Sequence, residues 1–554
     1  MFGLLSGIFL VSAGSLLYQI ALTRIFSIAE WYHYAFLVVS LALLGYGASG
    51  AVAAKLESAG KRPTNRSLGK LALGFSAGTL GSYVAANYIP FDSYLLVLEK
   101  RQILFFLAKY LALSAPFFFA GMVLAVAFRE MPQRAGRTYC ASMVGAGVGA
   151  LAMPLLAGWV PAEGLVLIVA GMGLLAVFAL GKRPLAYLAL AGALALFSLS
   201  PRVPGWLEVR SSPYKSLRLA LLYPGAEVVE RQETPTARVE IVRSEGIRIA
   251  PGMSYIYEGE MPAQVGIAID GDNMTGAITG DDLSFSRYLT GAIAYVLARP
   301  KSVLILRPRG GLEVATARAA AGQADPFIVA VEDEPAVMAA ITLGETPLAS
   351  ESVEWIAAGL RSYLKNSDET FDVVSVPLSE GMGIVKRGAF SLTQDYRLTV
   401  EGIEAALERT SPGGVFSVTR WLQIPPSESV RALDGVCKAL RRMGVKNPVE
   451  HIVAVRSWVT MTILAKREPF TEEEIGIVRD FSREMKFDLV WYPGIGEEDA
   501  NIYAELQEPS YYLAARAILG EGREEFLRSY DYKVRAVTDD RPFFFHFFRW
   551  RQLP

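Results

Sequence analysis

The first 200 residues are a string of apolar runs, and the remaining 354 are not. Phe2–Leu22 is one apolar run of membrane length. A hydrocarbon core about 30 Å thick needs roughly 20 apolar residues in a helix. Further runs follow at Tyr34–Ala54, Leu71–Ile89, Ile103–Phe128, Cys140–Val160, Leu165–Leu180 and Leu185–Leu199, giving seven candidate spans. The alternative for the first run is a cleaved signal peptide. It lacks a basic n-region and is too long for an ordinary h-region. The two shortest runs, at Leu165 and Leu185, can also be read as a re-entrant pair. The expected organisation is a polytopic α-helical bundle over 1–200, a linker and small antiparallel β-region over 201–298, and a Rossmann-like α/β domain over 299–554.

Positive charge in short loops sets the orientation of such a bundle. The loop after the second run holds five basic residues, Lys55, Lys61, Arg62, Arg66 and Lys70, against Glu57. The loop after the fourth holds Arg129, Arg134 and Arg137 against Glu130, and the turn before the seventh holds Lys182 and Arg183. The opposite loops are close to neutral. This bias places the N-terminus inside. With seven spans the C-terminal domain faces outward; if Leu165–Leu199 forms one span, the domain faces inward. Gln19, beside Tyr18, interrupts the first run and reads as an interhelical hydrogen-bonding group. The small residues of Gly45–Gly50 and Gly145–Ala150 read as close-packing devices.

The net charge of −1 argues against nucleic acid as the main partner, because phosphate binding needs clustered Lys and Arg. Two cysteines, Cys140 and Cys437, define no disulfide framework, and His33, His451 and His546 show no metal-ligand spacing. The lipid bilayer is the expected surrounding; a membrane-protein partner or a homo-oligomer stays open.

After Pro201 the pattern changes. Arg238–Arg243 and Gln264–Asp270 alternate as strands do, and Phe285–Leu297 reads as helical. An α/β series follows. The strands are Ser302–Leu306, Phe327–Val331, Val353–Ala357, Phe371–Val376 and Val415–Thr419. The helices are Glu313–Ala321, Pro335–Leu343 and Val400–Glu408. This alternation with short loops predicts a doubly wound parallel sheet, whose ligands bind beyond the carboxyl ends of the strands.

Asp270-Gly271, the Arg307–Gly311 turn, the strand ending in Glu332, the FDVV strand and SPGGVFSV occur in the order found in spermidine synthases. The chain resembles these aminopropyltransferases of the class I S-adenosylmethionine-dependent fold. It more closely resembles the integral-membrane, spermidine-synthase-like proteins of bacteria. The residues that carry this second likeness are Ser15–Ser27, Phe36–Gly50, Val144–Leu151, Pro213–Leu217, Val418–Glu428 and Thr538–Trp550. The resemblance implies a bacterial inner membrane and cofactor contacts at Asp270, Gly310, Gly311 and Glu332. It also implies S-adenosylmethionine or its decarboxylated form as the cofactor to consider. By the same resemblance Glu332 would accept both ribose hydroxyls.

The chain departs from that pattern where the chemistry should sit. Pro308 and Arg309 replace permissive residues in the turn. Leu360 stands where an adenine-binding Asp belongs, and Pro377 stands where the catalytic Asp belongs. Phe285-Ser286-Arg287 lacks the upstream His and Glu. Proton abstraction needs a titratable group within hydrogen-bond reach. No catalytic residue is therefore assigned. Glu380, Asp281, Asp282 and Asp395 are the carboxylates that could approach the pocket. The expected protein is spermidine-synthase-like with a degenerate site, a pseudoenzyme. The alternative is a ligand- or partner-binding membrane scaffold, and a carrier is the weakest reading.

Two features stay open. Arg420-Trp421 either lines the ligand crevice or is a packed Trp with a snorkelling Arg. The six aromatics of 543–550 either pack into the domain core or dock at the membrane face, with Asp539-Asp540-Arg541 as an ion pair or cap fixing the tail.

Overall fold

A computed structural model describes residues 2–30, 34–61, 63–92, 95, 98–181, 185–198, 204–322, 325–342, 346–381 and 392–549. His33, Arg62, Lys182, Arg183 and Trp550, named above, lie outside the described residues. The chain divides into two compact units. One comprises Met1–Arg218 with Gln232–Arg238, the other Leu219–Arg231 with Val239–Pro554.

The first unit is helical. Its helices are α1 (Phe2–Ala29), α2 (Ala35–Ser58), α3 (Asn65–Tyr88), α4 (Arg101–Glu130), α5 (Ala135–Leu156), α6 (Ala162–Gly181) and α7 (Leu185–Ser198). Each of the seven runs forms a helix, but five of them, α1, α2, α4, α5 and α6, are long and apolar enough to cross a membrane. Among the described residues these five are the candidate spans. Helix α7 has 14 residues, about 21 Å, which is shorter than the hydrocarbon core. Helix α3 is long enough, but its hydroxyls lower its hydropathy. They are satisfied inside the bundle: Ser76 Oγ donates to the Ala170 carbonyl at 2.7 Å, and Ser82 Oγ meets the Tyr18 hydroxyl at 2.9 Å. Gln19 makes no hydrogen bond among the described residues; its neighbour Tyr18 makes the interhelical one instead.

Helix α1 is the hub, packing against α2, α4, α5 and α6. A Cβ on Gly145 or Gly149 would strike the Phe9 or Ala13 carbonyl, so these glycines let α5 approach α1 at backbone distance. Two buried charge clusters brace the unit. Lys109 Nζ lies 3.2 Å from Glu30 Oε1, with the Phe26 and Phe91 rings beside it. Arg238, on the hairpin tip that groups with the helices, grips Glu163 with both Nη atoms at 3.0 and 2.6 Å; Nε turns to Glu233. The Arg238 and Glu163 side chains are 2% and 0% exposed, so their attraction is little screened.

A short helix, α8 (Ser216–Ala220), leads out of the bundle. Four strands then form an antiparallel sheet in sequential order: β1 (Glu227–Glu233), β2 (Arg238–Arg243), β3 (Gln264–Ile269) and β4 (Asp272–Ile278). The β3–β4 turn is Asp270-Gly271, with φ of 51° and 69°, the left-handed pair that a two-residue hairpin requires. The stretch expected to be helical from Phe285 is a 3₁₀ turn, Ser284–Tyr288, followed by α9 (Ala292–Ala298).

The α/β domain runs β5 (Ser302–Leu306), α10 (Leu312–Ala320), β6 (Phe327–Glu332), α11 (Pro335–Thr342), β7 (Val353–Ala357), α12 (Leu360–Asn366), β8 (Phe371–Val376), α13 (Val400–Glu408) and β9 (Thr410–Trp421). It continues through α14 (Glu428–Arg442), β10 (Ile452–Arg456), β11 (Thr460–Ala465), α15 (Glu472–Met485), β12 (Asp488–Trp491), α16 (Ser510–Leu519) and α17 (Arg523–Ser529). The sheet order is β12-β10-β11-β9-β8-β5-β6-β7. Strands β5 to β9 are parallel as expected, while β11 runs antiparallel to both β9 and β10. The sheet is therefore mixed rather than all-parallel. Strand β9 has 12 residues: β8 pairs with it as far as Val418, and β11 pairs with Phe416–Trp421 on its other edge. The chain leaves β5 to one side for β6 and β7, and comes back on its other side with β8. The topological switch point lies there.

The Arg238–Glu163 pair gives a direct test. Arg238→Met leaves Glu163 buried without its cation, and the full-length protein in detergent should lose about 3–5 kcal/mol of stability. Glu163→Leu in the same chain should recover most of that loss in thermal unfolding. An unchanged melting temperature in the single variant would contradict the role given to the pair.

Candidate functional site

The carboxyl ends of β5, β6 and β8 converge at the switch point, where such sheets bind ligands. The turn after β5 is Arg307–Gly311. Arg307 and Arg309 have φ of 65° and 52°, left-handed for residues other than glycine, each costing roughly 1–2 kcal/mol. Gly311 follows at 82°. The strain is offset by what the two arginines reach. Arg309 Nη1 donates to Glu332 Oε1 at 2.8 Å, and its backbone N–H donates to Oε2 at 3.0 Å. The Glu334 N–H adds a third bond at 3.1 Å. Glu332 has no exposed surface. Arg307 forms a two-pronged pair with Asp333, with Nε to Oδ1 at 3.1 Å.

A second cluster adjoins the first. Arg397 takes Asp395 through Nε at 3.0 Å and Nη2 at 2.6 Å, Ser379 through Nη1 at 2.6 Å, and Glu380 through Nη2 at 2.6 Å. Arg420, at the end of β9, bonds the other Glu380 oxygen, and the Trp421 indole donates to the Glu380 carbonyl at 3.0 Å. Arg307 Nη1 lies 3.7 Å from Asp395 and links the two groups. Four arginines and four carboxylates thus fill the crevice, with Glu428 3.8 Å from Arg420 as a fifth acid. Arg420 Nε and Nη1 are buried without a hydrogen-bond partner, as is Arg309 Nε.

The charges set the protonation states. Burial pushes the Glu332 carboxyl above its ordinary range, against the pull of Arg309. Burial would also raise Asp333, but Arg307 and Arg309 outweigh it and hold that carboxyl low. At Glu380 and Asp395, burial is likewise overcome, by Arg420 and Arg397 at the first and by Arg397 and Arg307 at the second. A carboxylate locked in the ionised form by two guanidiniums is a weak proton acceptor. Beneath the crevice Glu313 accepts from the Tyr295 and Ser375 hydroxyls, each at 2.7 Å, and burial raises its carboxyl.

The anticipated site residues separate into two groups. Glu332, Gly310 and Gly311 stand at the crevice. Gly310 is crowded: a side chain there would strike the Gly276 carbonyl of β4, so the missing Cβ serves the approach of β4. Asp270 sits at the β3–β4 hairpin turn. Further along β4, Asn273 lies against Gly381 in the segment after β8. Of the four carboxylates considered, Glu380 and Asp395 join the network. Asp281 and Asp282 are exposed, and Asp282 caps a turn by accepting the Ser284 N–H at 2.8 Å. Leu360, Phe285 and Pro377 are buried packing residues. Arg420 is fully buried and ion-paired, correcting the snorkelling alternative. Arg397 was not anticipated; the one local signal is Asp395 two residues before it.

The terminal aromatics divide: Phe544 and Phe545 belong to the α/β core and Phe547 is buried, while Phe543 is half-buried and Phe548 is exposed. Asp539 pairs with Arg361 at 2.9 Å and accepts from Thr399 at 2.6 Å, fixing the tail as an ion pair and cap.

Strand order and crevice define the class: a doubly wound α/β domain with a charge-filled switch point. Among solved structures the chain is similar to spermidine synthase from Thermotoga maritima (15% identity, covering 53% of this chain and 87% of that one, TM-score 0.32). It is similar to a probable spermidine synthase from Corynebacterium glutamicum (13% identity, 60% and 100% covered, TM-score 0.35). A third likeness is to human methyltransferase-like protein 13 in complex with SAH (14% identity, 37% and 92% covered, TM-score 0.25). No family model matches the chain, and no curated protein matches it.

The depressed carboxylates predict acid lability. A group with a lowered folded pKa contributes stability above its unfolded value, about 4, and loses it as the pH falls through the folded value. Glu332 and Glu313, being raised, act with the opposite sign. Unfolding followed by tryptophan fluorescence should show the domain weakening below about pH 4. Glu380→Gln should lower the proton dependence of that loss by about one proton. An unchanged acid slope would rule out an ionised, paired Glu380.

Proposed function

We propose that this is a membrane-embedded, spermidine-synthase-like protein whose α/β domain is a non-catalytic binding module. The observation that carries this is the occupation of Glu332 by Arg309. A nucleoside ribose at Glu332 would have to displace a buried guanidinium, leaving a charge unpaired at a cost of about 3–5 kcal/mol. Supporting it, Pro377 offers no base where the resemblance calls for one, and Glu380 and Asp395 are held ionised by arginines. S-adenosylmethionine and its decarboxylated form are the ligands this crevice is expected to refuse.

Calorimetric titration of the full chain in nanodiscs should show no saturable heat with either nucleoside up to about 1 mM. Putrescine should not be converted to spermidine. Micromolar binding that is lost in Glu332→Gln would contradict the reading and restore a transferase.

The membrane placement belongs to the same proposal. The bundle sits in a bacterial inner membrane with its basic loops inside, and the C-terminal domain faces outward, away from the cytoplasmic nucleoside pool. Reporters active on one side only, fused after Pro554, should report the outer side. A cytoplasmic signal would overturn this placement and return the nucleosides to consideration.

A further inference from the structure

A second concavity lies outside the crevice, where the end of α17 meets the C-terminal segment. It has a volume of about 430 Å³, within the range of small-molecule sites. Its frame is fixed by one buried cation. Arg431 of α14 donates to the carbonyls of Lys533, Phe543, Phe544 and His546, and lies 4.3 Å over the Phe547 ring. Arg549 closes the other side, donating to the Arg528 carbonyl at 2.9 Å and the Leu527 carbonyl at 2.6 Å. The Lys533 N–H bonds the Phe547 carbonyl at 2.8 Å and joins the two walls.

The lining is strongly basic. Arg528, Lys533, Arg535 and Arg549 face it, together with His546. Glu524 is the acid beside them, and it is engaged by Arg535 at 2.7 Å and by Arg523 at 2.5 Å. Arg528 and Lys533 meet no carboxylate among the described residues. His546 Nδ1 is buried without a hydrogen-bond partner. Burial, then Lys533 and Arg431, hold the imidazole below its usual range. Arg528 and Lys533 add positive charge beside Arg535 and Arg549, and a bound oxyanion relieves the repulsion among them. Planar guanidiniums beside an ammonium suit an anion with several oxygens and more than one charge. Leu527 and Phe548 add an apolar side, and Phe548 is 38% exposed.

We propose that this pocket binds a phosphate group carried on a partly apolar organic body. The site stands apart from the switch-point crevice, so it holds whether or not that crevice takes a nucleoside. The phosphate has two possible sources, a soluble phosphorylated metabolite or an anionic lipid headgroup.

The test uses the full chain in nanodiscs of zwitterionic lipid, titrated separately with pyrophosphate and with water-soluble dihexanoyl phosphatidic acid. At least one probe should bind saturably, and Arg528→Gln with Lys533→Gln should weaken it at least tenfold. Both side chains are exposed, so the melting temperature should not move. Tighter binding of the short-chain lipid identifies a headgroup site; tighter binding of pyrophosphate identifies a soluble ligand. Saturable binding by neither probe, or equal binding by the variant, would overturn the proposal.

Discussion

Glu332 ends β6 with its carboxylate shut off from water, and the crevice is arranged around that fact. A buried carboxylate needs a cation and a full set of hydrogen bonds. Arg309 supplies two of them, and the Glu334 amide a third. To deliver its side chain and its N–H to one carboxylate, Arg309 takes a left-handed backbone, and Arg307 does the same on its way to Asp333. The tight turn that results brings Gly310 against β4.

The second cluster extends the same logic. Arg397 and Arg420 arrive from opposite sides and share Glu380, each on its own oxygen. The charges balance, so the desolvation cost of each is offset by a neighbour. Such a network fixes geometry and holds Glu380 and Asp395 in the ionised form. The helical unit uses the same device twice, at Lys109–Glu30 and at Arg238–Glu163. Each unit thus carries buried, matched ion pairs.

Much of this was legible in the sequence. The seven apolar runs became seven helices, and the five parallel strands lie where short apolar runs between turn residues put them. What the runs did not show is where the helices end, α7 having only 14 residues, or that the hydroxyls of α3 find partners inside the bundle. Strands β10 to β12 escaped the reading because Ile452–Arg456 and Thr460–Ala465 are buried on both faces, which removes the alternation that marks a strand. Glu332 and the departures at Arg309 and Pro377 were visible as residues. Their meaning was not. Nothing in the spacing between Arg309 and Glu332, or between Arg397, Arg420 and Glu380, announces a pairing that depends on the switch point bringing strand ends together.

Arg309 and Glu332 hold each other at the mouth of the proposed ligand crevice. A double-mutant cycle over Arg309→Ala and Glu332→Gln measures this pairing most directly, from the unfolding of the α/β domain in the full-length protein. A coupling of about 2 kcal/mol or more between the two positions is expected. Additive effects, with a coupling below about 0.5 kcal/mol, would contradict it.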